Sequence, residues 1–405
     1  RVYQTTRPAG ARDRLFLERT FQKLLLHFAW WVNRRDPAGH GPSAGDFPGL
    51  DDPGTSGRPR PLPGGGTHEQ ADGAAWTAFF CTNMLAMALE LASEDPAYED
   101  LAAKFFEHFV AIADAMDRPG GPGLWDEQDG FYYDRMPAAG RTVPLRIRSM
   151  AGLVPLIAVV VLEQDVMERL PGFMKRVRWF LGHRKDLAGR IAWMETGSVH
   201  RNALLAIPSR ERLERVLRVM LDESEFLSPF GLRSLSRAHA DHPFVPDLPG
   251  AEYHVEDRPD ESATRLLGGG SSWRGPVWFP LNHLLIEALE RYHRFYGDDF
   301  TVECPTGSGR RMDLGGVASE LANRLSTLFL RGADGRRPCD GDDPRFASDP
   351  HWRDLVLFHE CFHGDTGRGL GASHQTGWTA LAAHCLLERA RARAAEPARG
   401  LGVAG

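Results

Sequence analysis

The chain is 405 residues long, 42% hydrophobic and 25% charged, with a formal net charge of −6. That supplies apolar residues enough for one large domain or two ordinary ones, and excludes a disordered chain. The negative balance argues against a general nucleic-acid or anionic-membrane binder, because such proteins carry a positive excess.

Helical periodicity dominates from the start. "RDRLFLERTFQKLLLHFAWWVNRR" (Arg12–Arg35) repeats apolar residues every three to four positions, which is one face of a helix. A Gly/Pro-rich loop, Asp36–Thr67, follows. "THEQADG" (Thr67–Gly73) reads as a capped helix start, whose Glu69, Gln70 and Asp72 could also face a binding cup. Helices are expected over Gln70–Ala92 and Pro96–Met116, the second with Pro96 at a favoured first position. "MAGLVPLIAVVVL" (Met150–Leu162) is the most apolar run; it falls short of the ~20 residues of a membrane span, contains Pro155, and reads as a buried core helix within Ser149–Leu162. Further helices are expected over Met167–Gly182, Arg210–Leu221, Val277–Tyr296, Gly316–Leu330 and Ser373–Arg393. No run of alternating strands separates them, so a parallel α/β sheet is not expected. Residues 1–393 are taken as one domain and 394–405 as a flexible tail. Helices alternating with elaborate loops suggest a helical barrel whose loops form a cup.

Five cysteines, Cys81, Cys304, Cys339, Cys361 and Cys385, are irregularly spaced and include no Cys-x-x-Cys. They do not form a disulfide framework and fit a reducing compartment, so a cytoplasmic location is expected.

His359, Glu360 and His363 spell His-Glu-x-x-His, the zinc-protease pattern. That site needs both histidines on one continuous helical face. Gly364, Gly367, Gly369 and Gly371 follow at once and would end the helix inside the site. Thr366 and Gly369 also stand where the extended metzincin pattern requires Gly and His. No metal is therefore expected, and the two histidines are read as groups that orient neighbours or hydrogen-bond the loop.

Four segments, in order, resemble the motifs of one known family. "WWVNRRDPAGHG…FPGLDDPG" resembles the loop with the family's Gly-Leu/Met-Asp-Asn/Asp motif. "LWDEQDGFYYD" (Leu124–Asp134) resembles a shared Trp-Asp segment, and "SSWRGPVWFPLNHLL" (Ser271–Leu285) a Trp-Arg-Gly-Pro-Ile/Val-Trp-x-x-x-Asn segment. "FHECFHGDTGRGLGASHQTGWTAL" resembles the last catalytic segment, a Glu in an aromatic-rich turn before the final barrel helix. The family so resembled is glycoside hydrolase family 63, and its bacterial glucosidase-like members, akin to mannosylglycerate and glucosylglycerate hydrolases, are the most similar. The resemblance implies an all-α, (α/α)6 six-hairpin barrel and inverting hydrolysis of α-glycosides without a cofactor.

Inverting hydrolysis needs two carboxyl groups about 6.5–9.5 Å apart, one to protonate the leaving oxygen and one to activate water on the far face. The resemblance makes Asp51 the general acid and Glu360 the general base. Considered alone, Asp51 could be a turn-forming surface acid, and Glu360 the partner of Arg353 or Arg368. Sugar binding asks for aromatic faces and a few fixed polar groups. The candidates are Trp30, Trp31, Asp126, Tyr133, Trp273, Arg274, Trp278, His374 and Gln375. Trp273 and Trp278 could equally belong to the core, and Asp126 and Tyr133 to a hydrogen-bonded corner.

The expected partner is a small α-glucoside or α-mannoside, with a charged glycoside such as a glyceric acid derivative suited to Arg274; nucleic acid and membrane are not expected. Two rival readings are a sugar epimerase or isomerase working through His359 and His363, and a non-catalytic carbohydrate-binding relative. About nine helical stretches are fewer than a closed six-hairpin ring needs. The chain opens on "RVYQTTRPAG", so the barrel's first helices are expected to be missing from it and to belong to an upstream segment.

Overall fold

A computed structural model describes residues 3, 11–33, 71–117, 123–138, 141–185, 202–245, 255–257 and 275–395. The chain divides into two compact units. The first comprises Arg1–Gly49, Pro61–Leu145 and Val154–Leu213; the second comprises Leu50–Arg60, Arg146–Leu153 and Glu214–Gly405.

The first unit is built on α1 (Arg14–Asn33), α2 (Ala71–Ala92) and α3 (Ala97–Asp117). These match the helices expected from periodicity to within a few residues. α2 and α3 form a helical hairpin, with the Asp95 carboxylate accepting from the Ala97 N–H (3.0 Å) and Glu99 and Asp100 in the first turn of α3. α2 buries small groups such as Ala75, Ala78, Cys81 and Ala88, while α3 buries Phe105, Phe106 and Phe109. The Phe28 ring of α1 meets Phe105 edge-on at 5.0 Å and stacks on Phe80 of α2 at 5.9 Å. Leu15, Phe16, Leu26 and Trp30 of α1 stay exposed. Gly73–Ala92 is long and apolar enough by composition to cross a membrane, contrary to the expectation that no segment is. Its apolar side chains go largely into packing against α3.

Two small antiparallel hairpins follow: β1 (Trp125–Asp126) with β2 (Phe131–Tyr132), and β3 (Asp134–Ala138) with β4 (Arg141–Leu145). The helix expected over Ser149–Leu162 is absent. The chain instead makes 3-10 turns at Met150–Gly152 and Val154–Ile157 and then β5 (Val159–Leu162). Pro155 cannot donate to a helix, and Val159, Val160 and Val161 are β-branched. The run is apolar because it is buried on nearly every side, and period alone does not separate that from a buried helix. The helix expected over Met167–Gly182 is two, α4 (Gln164–Arg169) and α5 (Pro171–His183). Pro171 restarts it, and the Glu99 carboxylate accepts from the Phe173 N–H in its first turn. β6 (Ala203–Ala206) pairs antiparallel with β5, Val159 opposite Ala206.

The chain passes into the second unit within α6 (Arg210–Met220). β7 (Leu227–Ser228) and β8 (Gly231–Leu232) make a hairpin, followed by α7 (Ala238–Asp241) and the long α8 (Phe279–Tyr296). β9 (Thr301–Glu303) and β10 (Arg311–Asp313) pair, and α9 (Leu314–Thr327) starts with Asp313 accepting from the Gly316 N–H at 2.7 Å. α10 (Arg345–Ser348) precedes a hairpin of β11 (Cys361–Phe362) and β12 (Gly369–Leu370). The helix expected over Ser373–Arg393 is α11 (Thr376–Thr379) and α12 (Ala382–Ala395), which runs two residues past the expected boundary at 393. α8 packs on α9, and α9 on α12. Among the described residues helices dominate, and every sheet is a two-stranded antiparallel pair, so the helical class holds. The five cysteines are free and buried.

Candidate active site

In the second unit, four distant segments meet through single bridging residues. Ser149 bridges Leu235, Arg233 bridges Val277, Val277 bridges Phe362, and Phe362 pairs with Gly369 in the β11–β12 hairpin. Ser234 reinforces this: its N–H (3.1 Å) and hydroxyl (2.8 Å) both donate to the Pro276 carbonyl, while its own carbonyl accepts from the Met150 N–H (2.8 Å). Gly275–Trp278 and the segment bearing Glu360 are therefore neighbours.

Asn282, fully buried in the first turn of α8, acts as a stand-in for a strand. Its Oδ1 accepts from the Leu232 N–H at 2.7 Å, and its Nδ2 donates to the carbonyls of Leu232 (3.0 Å) and Trp278 (2.9 Å). Gly231, at φ +122°, has no room for a side chain: a Cβ there would come within 2.9 Å of Asn282 Oδ1 and Leu325.

Glu360 stands at the entrance to β11 and is held at three points. Its N–H donates to the Ala372 carbonyl (2.8 Å), and its carbonyl accepts from the Trp378 indole N–H (3.2 Å). Its carboxylate Oε2 accepts from the Ala372 N–H (3.2 Å), and Oε1 has no hydrogen bond among the described residues. Such a mount fixes one carboxylate oxygen and presents the other. The Thr379 hydroxyl donates to the His359 carbonyl at 2.6 Å, which ties α11 to the same segment. These two side chains turn back toward the hairpin just where the expected continuous helix gives way to α11 and α12.

His359 and Glu360 lead into β11 and His363 follows it, so no common helical face joins the two histidines. His363 Nδ1 accepts from the backbone N–H groups of Asp365 (3.1 Å) and Thr366 (3.3 Å), ordering the turn. The His359 ring lies against Gly369, where a side chain would collide with it. Burial holds the His359 imidazole below its ordinary pKa, with Asp340 opposing and His374 adding to the shift. Among the described residues, His293, Asp298 and Asp313 bring possible metal-ligand atoms within 4.8 Å of one another. The Asp313 carboxylate there is already the cap of α9, and Asp298 is exposed.

Trp278 is 7% exposed at the N-cap of α8, with its ring edge-on to Trp378 at 6.2 Å. His374 is exposed and bridges Phe358, and the Gln375 N–H donates to the Phe358 carbonyl at 2.8 Å. The second unit thus brings Glu360, Trp278, His374 and Gln375 onto one framework. Trp378, Asn282 and Arg233 share it and were given no role from sequence, although Trp378 and Asn282 lie inside the quoted motifs.

Asp126, Tyr133 and Trp30 belong to the first unit. Asp126 Oδ1 accepts from the N–H groups of Gln128 (2.9 Å) and Asp129 (3.0 Å), and the Tyr133 hydroxyl donates to Asp129 Oδ2 (3.0 Å). Both are members of a hydrogen-bonded corner. Trp30 is half exposed on α1. Asp51, Trp273, Arg274, Glu69 and Gln70, and the side chains of Trp31 and Asp72, lie outside the described residues.

Residues 202–379 match the family described as the mannosylglycerate hydrolase MGH1-like glycoside hydrolase domain. An uncharacterized protein of Saccharomyces cerevisiae is 50% identical over 400 residues, covering 95% of this chain and 37% of that protein. The mannosyl-oligosaccharide glucosidase of the same yeast is 25% identical over 185 residues, 45% of this chain and 16% of the enzyme. The chain therefore spans well under half the length of either relative. Among solved structures, an uncharacterized conserved protein from Thermus thermophilus gives a TM-score of 0.48 at 17% identity, covering 96% of this chain and 74% of that one. The GH63 mannosylglycerate hydrolase of that organism, in complex with Tris and D-glycerate, gives 0.46 at 17% identity, covering 93% and 71%. The matched span takes in the framework from Arg233 to Thr379, and the family it resembles is in keeping with the family 63 resemblance of the motifs.

Proposed function

We propose that this chain carries the catalytic machinery of an inverting glycoside hydrolase that cleaves an α-linked glucoside or mannoside on an (α/α)6 barrel. Glu360 is the general base and Asp51 the general acid. The observation that supports this most is the mount of Glu360. Its Oε2 is held by the Ala372 N–H, while Oε1 remains available to take a proton from the attacking water. Fixing one oxygen pre-orients the other, so little reorganisation accompanies proton transfer. As water adds to the anomeric carbon, its proton passes to Glu360. The leaving oxygen takes its proton from Asp51, and the anomeric configuration inverts. The mannosyl-oligosaccharide glucosidase among the relatives and the mannosylglycerate hydrolase MGH1-like family matched over 202–379 support a glucoside or a mannoside as substrate.

A panel of α-linked disaccharides and glycosyl glycerates, followed by anomer-resolved NMR, tests the reading. The β-anomer should appear first, and Glu360→Gln should reduce turnover by roughly a thousandfold or more while the protein stays folded. Initial release of the α-anomer, or near-normal turnover by Glu360→Gln, would overturn it. Conversion of free sugars without hydrolysis would favour the epimerase.

A further inference from the structure

We infer that Arg233 is a positioning residue for Glu360, acting through Asp365 in the turn of the β11–β12 hairpin; the inference rests on the reading of Glu360 as general base. Arg233 is 1% exposed, and its Nη2 donates to Asp365 Oδ1. The guanidinium packs close to the turn: a Cβ built on Gly364 would stand 3.2 Å from Arg233 Nε and 3.3 Å from its Cζ. Glycine at 364 is thus what lets the backbone come this close.

The anchor itself is rigid. The Arg233 N–H donates to the Phe226 carbonyl at 2.9 Å, its backbone bridges Val277, and the preceding Leu232 is clamped by Asn282. The hairpin, in contrast, has strands of two residues each, closed by His363 N–H to the Arg368 carbonyl (2.8 Å) and Gly367 N–H to the His363 carbonyl (2.9 Å). Strands that short do not fix their own orientation. One end is tied down at Glu360 and Ala372, and the other, three residues beyond β11, by Arg233.

The charge arrangement supports the same role. A sealed guanidinium needs a counter-charge. Asp257, 5% exposed, is acted on by the Arg233 charge, but burial pushes its carboxyl up to about 7 against that pull, with Asp365 and Glu256 adding to the rise and Arg237 opposing it. It supplies only part of a counter-charge near neutrality, so Arg233 depends on the turn carboxylate. Arg233 Nε and Nη1 have no hydrogen-bond partner among the described residues, which leaves the Asp365 contact as the directional one.

The test is amide hydrogen exchange, read by mass spectrometry on peptides covering 357–375, beside steady-state kinetics on whichever glycoside the panel identifies. The full chain is used with Asp365→Ala, Asp365→Asn and Asp365→Glu. In Asp365→Ala we expect exchange about tenfold faster in the hairpin, more than in the rest of the second unit, with a lowered melting temperature because the sealed Arg233 loses its counter-charge. We also expect kcat lowered ~10–100-fold and KM within about twofold, the pattern of a displaced catalytic group rather than a lost binding contact. Asp365→Glu should recover much of both. If Asp365→Ala does not fold, Asp365→Asn, which keeps the hydrogen bond and loses the charge, should show the same changes in weaker form. Wild-type hairpin exchange and wild-type kcat in the folded variant would overturn the inference. The two readings fail separately: turnover retained by Glu360→Gln removes the general base, whereas unchanged hairpin exchange removes the clamp whatever Glu360 does.

Discussion

The carboxylate of Glu360 occupies the space where a side chain on Gly371 would begin: a Cβ built there would stand 2.5 Å from Oε2 and 3.0 Å from the Glu360 Cβ. Gly371 also has φ +65°, a left-handed conformation that costs any other residue about 1 kcal/mol or more. Gly371→Ala should therefore push the carboxylate off its Ala372 N–H. We expect activity to fall by about a hundredfold and stability by ~1–2 kcal/mol. Turnover and thermal denaturation of the one variant check both, and activity within twofold of wild type would contradict the close approach.

Asn282 satisfies three backbone groups at once. Asn282→Ala takes their amide partner from the Leu232 N–H and carbonyl and leaves the Trp278 carbonyl only the backbone N–H of residue 282 (3.3 Å), and should destabilise the chain by roughly 2–4 kcal/mol. Asn282→Asp should do at least as badly, because it sets a carboxylate oxygen against two carbonyls where an amide donated. Urea unfolding of both variants is the measurement, and a loss under 1 kcal/mol would show that the clamp is dispensable.

Trp378 combines an indole N–H given to the Glu360 carbonyl with a ring set edge-on to Trp278. Trp378→Phe keeps a ring and loses the donor. Stability should drop by about 1 kcal/mol, and kcat should fall several-fold without a matching rise in KM. A rise in KM alone would instead mark Trp378 as a sugar-binding surface.

Asp257 makes stability depend on pH. Its folded carboxyl titrates at about 7 against 3.8 for the free group, so the folded state holds a proton that the unfolded chain has given up between those values. The associated stability is fully present below about pH 4 and is lost as pH rises through about 7. Asp257→Asn, close in shape to the protonated acid, should raise the melting temperature at pH 8 and change it little at pH 4. An equal effect at both values would mean that the carboxyl titrates normally.

The long amphipathic helices were legible because α1, α3, α6 and α8 each bury one stripe, and a stripe leaves a period in the sequence. Met150–Leu162 was not, because its residues are buried nearly all round and carry no period. Glu360 could be found because its neighbours spell a motif. Arg233 could not: an arginine in "GLRSLS" reads as a solvated charge, and its burial comes from a partner 132 residues away. Trp378 lay in plain view, but its role depends on a carbonyl 18 residues earlier, which no local pattern announces.

The chain of bridges from Ser149 through Leu235, Arg233 and Val277 to Phe362 bears on how relatives of this chain can vary in length. Each segment is gripped over a few residues only, so the loops between them can lengthen or shorten at little cost. Within a segment the tolerance vanishes. One residue inserted between Val277 and Asn282 would turn the start of α8 by about 100° and swing the Asn282 amide away from Leu232. One inserted between Glu360 and Phe362 would send alternate side chains to opposite faces of the hairpin. Insertions and deletions among relatives should therefore gather between these segments and spare their interiors, so that the spacing from Val277 to Asn282, and from Glu360 to Asp365, is inherited as a fixed length.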